Sequence, residues 1–194
     1  MNNRILGILA FIGAPFLCID QMVHGQNGPQ SGFEHTSVSG LFNLIYMLGW
    51  MCSIAVLRRI KATGTAGFGK AILVIQLCTL TLANVWNVYE IIAPGSESTL
   101  YFILDLFWPI SNLVLLIIGI TVIRARRLQG WKRFVPLLAG IWFPVSIVLF
   151  FTAGQGYLTM VLSGLYSAVM WTLLAYVSYT SEEEGAVVHN LAGQ

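Results

Sequence analysis

Charged residues are scarce in this chain, and their scarcity excludes a soluble globular fold. Only 9% of the 194 residues are Asp, Glu, Lys or Arg, whereas 57% are hydrophobic and the mean hydropathy is +0.77. A soluble domain carries about 25% charged residues. Because so little charge cannot cover a water-facing surface, we predict that most of the chain lies in lipid.

Cysteine, lysine and histidine are too few, or wrongly placed, for a disulfide framework, a retinal Schiff base or a haem site. The three cysteines, Cys18, Cys52 and Cys78, lie in apolar runs without CxxC spacing, which indicates buried thiols. No lysine interrupts an apolar run, so a retinal Schiff base of the usual kind has no anchor. Haem held between membrane helices needs a pair of histidines there, and these runs contain no such pair.

Six apolar runs are each long enough to form a membrane-spanning helix. A crossing needs about 20 apolar residues, and unpaired backbone groups in hydrocarbon cost so much that such runs must be helical. The runs cover about 5–23, 38–57, 70–93, 99–123, 134–153 and 157–179. We therefore predict an all-α integral membrane bundle of six transmembrane helices over 1–180. An acidic tail, 181–194, is expected to be cytoplasmic and disordered.

All ten cationic side chains fall at one end of this predicted bundle. They occupy the N-terminus and two of the five connections: Arg4, Arg58, Arg59, Lys61, Lys70, Arg124, Arg126, Arg127, Lys132 and Arg133. Lys and Arg favour the cytoplasmic side of a membrane. We therefore expect a protein of the plasma (cytoplasmic) membrane with both termini inside.

The second, fourth and sixth runs share a short pattern. LFNLIY, ILDLFW and VLSGLY place Asn43, Asp105 and Ser163 three residues before an aromatic side chain. A helical hairpin returns to its starting side, so the pattern favours three hairpins repeated in parallel. A chance match among residues common in membranes is the alternative.

The acids outside the tail lie on the side opposite the cations. They are Asp20, Glu34, Glu90, Glu97 and Asp105. At about 1.5 Å per residue, Asp20, Glu90 and Asp105 lie roughly 24–30 Å above the cytoplasmic boundary, in a hydrocarbon core about 30 Å thick. His24 joins this level, one turn beyond Asp20 on the same helix face. The alternative is that these residues end their helices in the headgroup zone.

Polar side chains within lipid face inward, toward partners or water. With the acids they predict an acidic polar cavity that opens to the outside. The expected ligand-binding residues are Asp20, His24, Asn43, Tyr46, Asn84, Asn87, Glu90, Asp105, Trp108, Asn112, Ser163 and Tyr166.

The favoured function for this cavity is to bind or translocate a small cationic ligand, a metal ion or a proton. Trp108, Tyr46 and Tyr166 are then available for cation–π contacts. The expected partners are the lipid bilayer and the small ligand, with no nucleic acid. The bundle is expected to be a monomer or a homodimer.

Two other functions remain open. In a membrane-embedded metal-dependent hydrolase, a divalent metal held by Asp20, His24, Glu90 and Asp105 would activate water. In a structural accessory subunit, the polar stripes would only join the helices, as interhelical amide hydrogen bonds do. The sequence favours a non-enzyme over an enzyme, and a divalent metal is the single cofactor it suggests.

Overall fold

All regular secondary structure in the described residues of this computed structural model is helical, which confirms the all-α part of the predicted fold class. The structure describes residues 2–24, 35–154 and 156–191, with side chains described as far as Ser181. The α-helices within this part of the chain are α1 (Asn3–Gly13), α2 (Phe16–His24), α3 (Ser37–Arg59), α4 (Gly67–Ile92), α5 (Thr99–Asp105), α6 (Phe107–Ala125), α7 (Val135–Ala153) and α8 (Tyr157–Leu191). A 3₁₀ turn, Gly130–Phe134, leads into α7.

Six stretches of the described residues are long and apolar enough to cross a membrane, as predicted from the apolar runs. They are Asn3–His24, Ser37–Arg59, Gly67–Ile92, Thr99–Ala125, Gly130–Ala153 and Tyr157–Ser181, called here the first to sixth spans. Side-chain caps define several starts; Thr36, for example, accepts the backbone N–H of Ser39 at 3.0 Å. The helix α8 continues beyond the sixth span to Leu191, into the tail that the sequence led us to expect as disordered. The acidic side chains of that tail, and Glu34, lie outside the described residues.

The first and fourth spans are each broken into two helices beside a proline. A proline leaves the carbonyl four residues earlier without its helical donor. Pro15 stands between α1 and α2, and Pro109, the third residue of α6, removes the donor for the carbonyl of Asp105. The fourth span accordingly breaks at Leu106. Asp20 lies in the middle of the helix that follows the first break, and Asp105 lies immediately before the second.

Spans that are consecutive in the chain are neighbours in space, and the last packs against the first. The helix α1 packs against α3 and α8, α3 against α4, α4 against α6, α6 against α7, and α7 against α8. Large aromatic side chains from α3, α7 and α8 meet between these helices: Tyr46, Trp50, Trp142 and Trp171, with ring centroids 5.1 to 6.1 Å apart. We call these four residues the aromatic centre.

The described charged groups separate to opposite ends of the bundle. At the basic end, which carries the Lys and Arg residues, Arg59 Nη1 donates to Asn3 Oδ1 at 3.4 Å and so joins the second span to the first. The acidic end is the opposite end, which carries Asp20, Glu90, Glu97 and Asp105. There, Ser37 Oγ donates to the carbonyl of Ile91 at 2.8 Å and joins the second span to the third. Which end faces the cytoplasm stays a prediction from the positive charges.

Glycine allows α1 and α3 to approach closely. A Cβ atom on Gly49 would lie 2.9 Å from Gly13 Cα, and one on Gly13 would lie 2.7 Å from the carbonyl oxygen of Ile45. Helices in lipid associate largely through such close backbone packing. Gly40 acts in the same way nearer the acidic end, since its Cβ would lie 3.0 Å from the backbone oxygen of Asn87.

Gly49→Ala should therefore destabilise the bundle, because the added methyl group meets backbone that cannot move aside. We expect the free energy of unfolding to fall by about 1–3 kcal/mol. Gly67→Ala is the matched control, since a Cβ there meets no described atom within 4 Å. Thermal unfolding of purified protein in detergent checks this, and equal melting temperatures for the two variants would contradict the close packing.

Candidate functional site

A cavity of about 350 Å³ lies at the acidic end of the bundle. Its walls come from the first four spans and from His35, which lies before α3. The lining residues are Leu17, Asp20, His35, Ser39, Asn43, Met47, Trp86, Asn87, Glu90, Asp105, Trp108 and Pro109. His35 and Asp105 are exposed, whereas Leu17 and Met47 are buried. The cavity therefore reaches the surface at its two exposed titratable residues and ends on apolar side chains.

Asp20 is a buried carboxylate in the cavity wall, with 3% of its surface exposed. Its Oδ1 lies 2.8 Å from His24 Nδ1. Its Oδ2 accepts hydrogen bonds from Ser39 Oγ and Asn43 Nδ2, each at 3.0 Å. Ser39 and Asn43 are one helical turn apart, so α3 presents both to α2 on one face. These donors replace the water that a carboxylate loses on burial.

His24 connects Asp20 to the start of α3. Its Nε2 lies 3.3 Å from Oγ1 of Thr36, the side chain that caps α3 by accepting the backbone N–H of Ser39. Both ring nitrogens of His24 are thus engaged by neighbouring side chains. This histidine lies behind Asp20, outside the cavity lining, and it positions the carboxylate.

Glu90 is the second buried carboxylate, with 1% of its surface exposed. Tyr101 donates its hydroxyl proton to Glu90 Oε2, and the backbone N–H of Gly95 donates to the same oxygen at 3.3 Å. His35 Nδ1 lies 3.2 Å from Oε1 and 2.9 Å from the Tyr101 hydroxyl oxygen. Tyr101 thereby fixes α5 to the end of α4. Each buried acid also has a histidine partner: His24 for Asp20 and His35 for Glu90.

Asp105 is the carboxylate that remains accessible. It lies exposed at the end of α5, in the same cavity lining as His35 and Glu90. The side chain of His35 is 49% exposed. Since protein donors engage Asp20 and Glu90, Asp105 is the acid best placed to meet a molecule that enters the cavity.

Asn87 contributes a buried acceptor to the lining. Its side chain is 0% exposed, and its Nδ2 donates to Asn84 Oδ1 at 3.2 Å and to Met47 Sδ at 3.4 Å. Its Oδ1 has no hydrogen-bond partner within the described part of the chain, and the same holds for the indole N–H of Trp86. A buried polar atom without a partner costs about 1–3 kcal/mol, so these two atoms are costly polar groups within the cavity wall.

Two tryptophans line the cavity, and each packs against different aromatic side chains. Trp86 packs against Tyr101 and His35, with ring centroids 5.3 and 6.4 Å away. Trp108 packs edge-on against Trp142, at 5.8 Å, and so joins the cavity to the aromatic centre. Aromatic rings beside carboxylates form surroundings that attract an organic cation.

Half of the predicted ligand-binding residues line this cavity: Asp20, Asn43, Asn87, Glu90, Asp105 and Trp108. His24 and Asn84 lie directly behind them as hydrogen-bond partners of Asp20 and Asn87. Asn112 lies one helical turn below Trp108 and donates to its carbonyl oxygen at 3.0 Å.

The remaining three predicted residues lie away from the cavity lining. Tyr46 is fully buried in the aromatic centre. On α8, Ser163 Oγ lies 2.7 Å from Ser146 Oγ, and Tyr166 donates to the carbonyl of Leu138 at 3.0 Å. Both of these α8 side chains join the sixth span to the fifth.

Sequence reasoning did not select His35, Trp86 or Tyr101. Trp86 lies four residues before Glu90, so helical spacing could have placed it beside that acid. Tyr101 lies four residues before Asp105, yet its hydroxyl bonds to Glu90 on another helix, which helical spacing does not predict. His35 lies before α3, in a segment without periodicity, and no pattern in the sequence signals it.

The four predicted metal ligands do not form one coordination site. Among the residues that the structure describes, no group of three or more His, Cys, Asp or Glu could hold a metal ion. Asp20 and His24 form one cluster with Ser39 and Asn43, whereas Glu90 belongs to the separate cluster with Tyr101. The geometry thus gives no support to a divalent metal at these residues.

No protein-family model, curated protein or solved structure matches this chain. The fold and the cavity define a six-span helical bundle with an acidic, aromatic cavity at one end. The groups that line that cavity therefore carry the evidence for function.

Tyr101→Phe tests the Glu90 cluster, because it removes a proton donor from a buried carboxylate. We expect the free energy of unfolding to fall by about 1.5–3 kcal/mol, the usual range for a hydrogen bond to a charged group. The control is Tyr89→Phe, whose hydroxyl bonds to the neutral Ser98 at 3.0 Å and should cost about 0.5–1.5 kcal/mol.

Thermal unfolding of both variants is measured in the wild-type and in a Glu90→Gln background. The effect of Tyr101→Phe should shrink in the second background, whereas that of Tyr89→Phe should not. Equal, additive effects would show that the Tyr101 hydroxyl does not serve Glu90.

Proposed function

We propose that this protein binds a small organic cation in the cavity at its acidic end. The charge of the lining supports this proposal. Three carboxylates, those of Asp20, Glu90 and Asp105, face the cavity, and its lining among the described residues includes no Lys or Arg. A positively charged ligand would balance the excess of negative charge.

The size and surface of the cavity favour an organic cation over a metal ion or a proton. Its volume of about 350 Å³ falls in the range of small-molecule sites, about 300–1,000 Å³. The rings of Trp86 and Trp108 provide flat π faces for an ammonium group. Metal ions instead need several convergent ligand atoms, and protein donors engage two of the three carboxylates here, those of Asp20 and Glu90.

The accessible carboxylate of Asp105 is the observation that carries the proposal. It lies exposed in the cavity lining, whereas protein donors engage the buried carboxylates of Asp20 and Glu90. An ammonium group that enters the cavity would meet the carboxylate of Asp105. Charge-assisted hydrogen bonds of this kind are about twice as strong as neutral ones.

The predicted orientation gives the cavity its physiological side. If the basic end lies in the cytoplasm, the cavity opens to the exterior. The aromatic centre fills the space between the helices, so translocation would require these rings to separate. We therefore propose that the protein binds its cation from the outer side of the membrane. The parallel hairpin repeat and the homodimer stay predictions.

A matched pair of probes tests the proposal: 2-phenylethylammonium and its neutral isostere 2-phenylethanol. The amine should raise the melting temperature of the purified protein, and the alcohol should do so far less. Asp105→Asn should weaken amine binding about tenfold or more, which corresponds to the loss of one charge-assisted hydrogen bond.

Glu97→Gln is the control for Asp105→Asn, because Glu97 is an exposed acid at the same end and outside the cavity lining. This variant should bind the amine as the wild type does. Equal stabilisation by both probes, or equal losses in both variants, would contradict a cation site. Unchanged folding and phenotype after substitution of all three cavity acids would instead favour an accessory subunit.

Single cysteines at the two ends test the orientation. In a background without the native cysteines, Glu97→Cys should react with a membrane-impermeant maleimide in intact cells. Lys70→Cys, exposed at the basic end, should react only after permeabilisation. The reverse labelling pattern would place the cavity on the cytoplasmic side.

A further inference from the structure

A second pocket, at the basic end, is lined largely by arginine. Its volume is about 500 Å³, and its lining residues are Ile123, Arg124, Arg126, Arg133 and Phe134. Two of the arginines come from the end of α6, and the third comes from the 3₁₀ turn that leads into α7. We call it the arginine pocket.

Local backbone structure brings these side chains together. Arg126 ends α6 in the left-handed conformation, with φ of 52°, and its backbone N–H bonds to the carbonyl of Val122. The chain turns there, and the 3₁₀ turn packs back against α6 and α7. Arg133 thereby comes to the same pocket as Arg124, and its guanidinium lies 4.8 Å from the ring centroid of Phe134.

The electrostatics of the arginine pocket call for an anion. Three guanidinium groups of like charge share one pocket, and each acid whose side chain the structure describes lies at the acidic end. In addition, the Nε of Arg133 is buried and finds no hydrogen-bond partner in the described ranges of the chain. Guanidinium forks match the geometry of a phosphate group, to which they can donate two parallel hydrogen bonds.

The position of the pocket indicates the source of that anion. Ile123 belongs to the apolar face of the fourth span, and Phe134 is 40% exposed beside it. Trp131, 52% exposed, stacks on Tyr176 of α8 with an interplanar angle of 15°. Exposed aromatic residues at span ends are typical of the membrane–water interface, the depth at which lipid phosphates lie.

We propose that the arginine pocket binds the phosphate of an anionic phospholipid headgroup in the leaflet at the basic end. Basic pockets between membrane helices on the cytoplasmic side recognise such headgroups. The lipid tails would then lie along the exposed apolar surface of the fourth and fifth spans. This proposal is independent of the cation cavity at the acidic end.

Native mass spectrometry of the full-length protein with added phosphatidylglycerol or phosphatidylcholine tests this site. The wild type should retain phosphatidylglycerol preferentially. Arg133→Gln should weaken that retention about tenfold, as expected for the loss of a charge-assisted contact. Lys70→Gln is the control, since it removes the same charge from the other basic connection and should leave retention almost unchanged.

Arg126→Gln provides a second variant if Arg133→Gln fails to fold, and it too should weaken retention. Inorganic phosphate at the same concentration should neither displace the lipid nor raise the melting temperature. Equal losses in Lys70→Gln and the arginine variants would show diffuse charge attraction and overturn the proposal. Equal retention of phosphatidylcholine, or displacement by inorganic phosphate, would also overturn it.

Discussion

A carboxylate buried in an apolar bundle is stable only when protein donors replace its lost water, and this requirement organises the acidic end. Asp20 draws the start of α3 against α2, because Ser39 and Asn43 supply its hydrogen bonds. Glu90 draws α5 against the end of α4 through Tyr101. The hydrogen bonds to these two acids thus tie the first span to the second and the third span to the fourth, around one cavity.

The same cavity depends on where the helices break and where they touch. The break at Leu106 leaves Asp105 at the end of α5, so this acid lies at the cavity surface instead of within a continuous helix. Close contacts at Gly13 and Gly49 hold the first two spans together nearer the middle of the bundle. The polar cavity therefore rests on rigid, closely packed helices, which favours a preorganised binding site.

Topology followed from the sequence more readily than the site did. Span number depends on apolar length, and the common level of Asp20, Glu90 and Asp105 follows from the helical rise, so both could be predicted. Which faces meet depends on tertiary packing. Ser163 shares the pattern of Asn43 and Asp105, yet α8 uses it to contact α7. Polar periodicity identifies an inward face without identifying the neighbour that it meets.

The most direct measurement is an experimental structure in lipid, at a resolution that shows side chains, with 2-phenylethylammonium present. A cation-binding cavity predicts density for the amine between Trp86 and Trp108, with its nitrogen in hydrogen-bond contact with the carboxylate of Asp105. Asp20 and Glu90 should keep their protein donors. Carboxylates that point apart toward the headgroups, around a dry and closely packed interior, would contradict a cation-binding cavity.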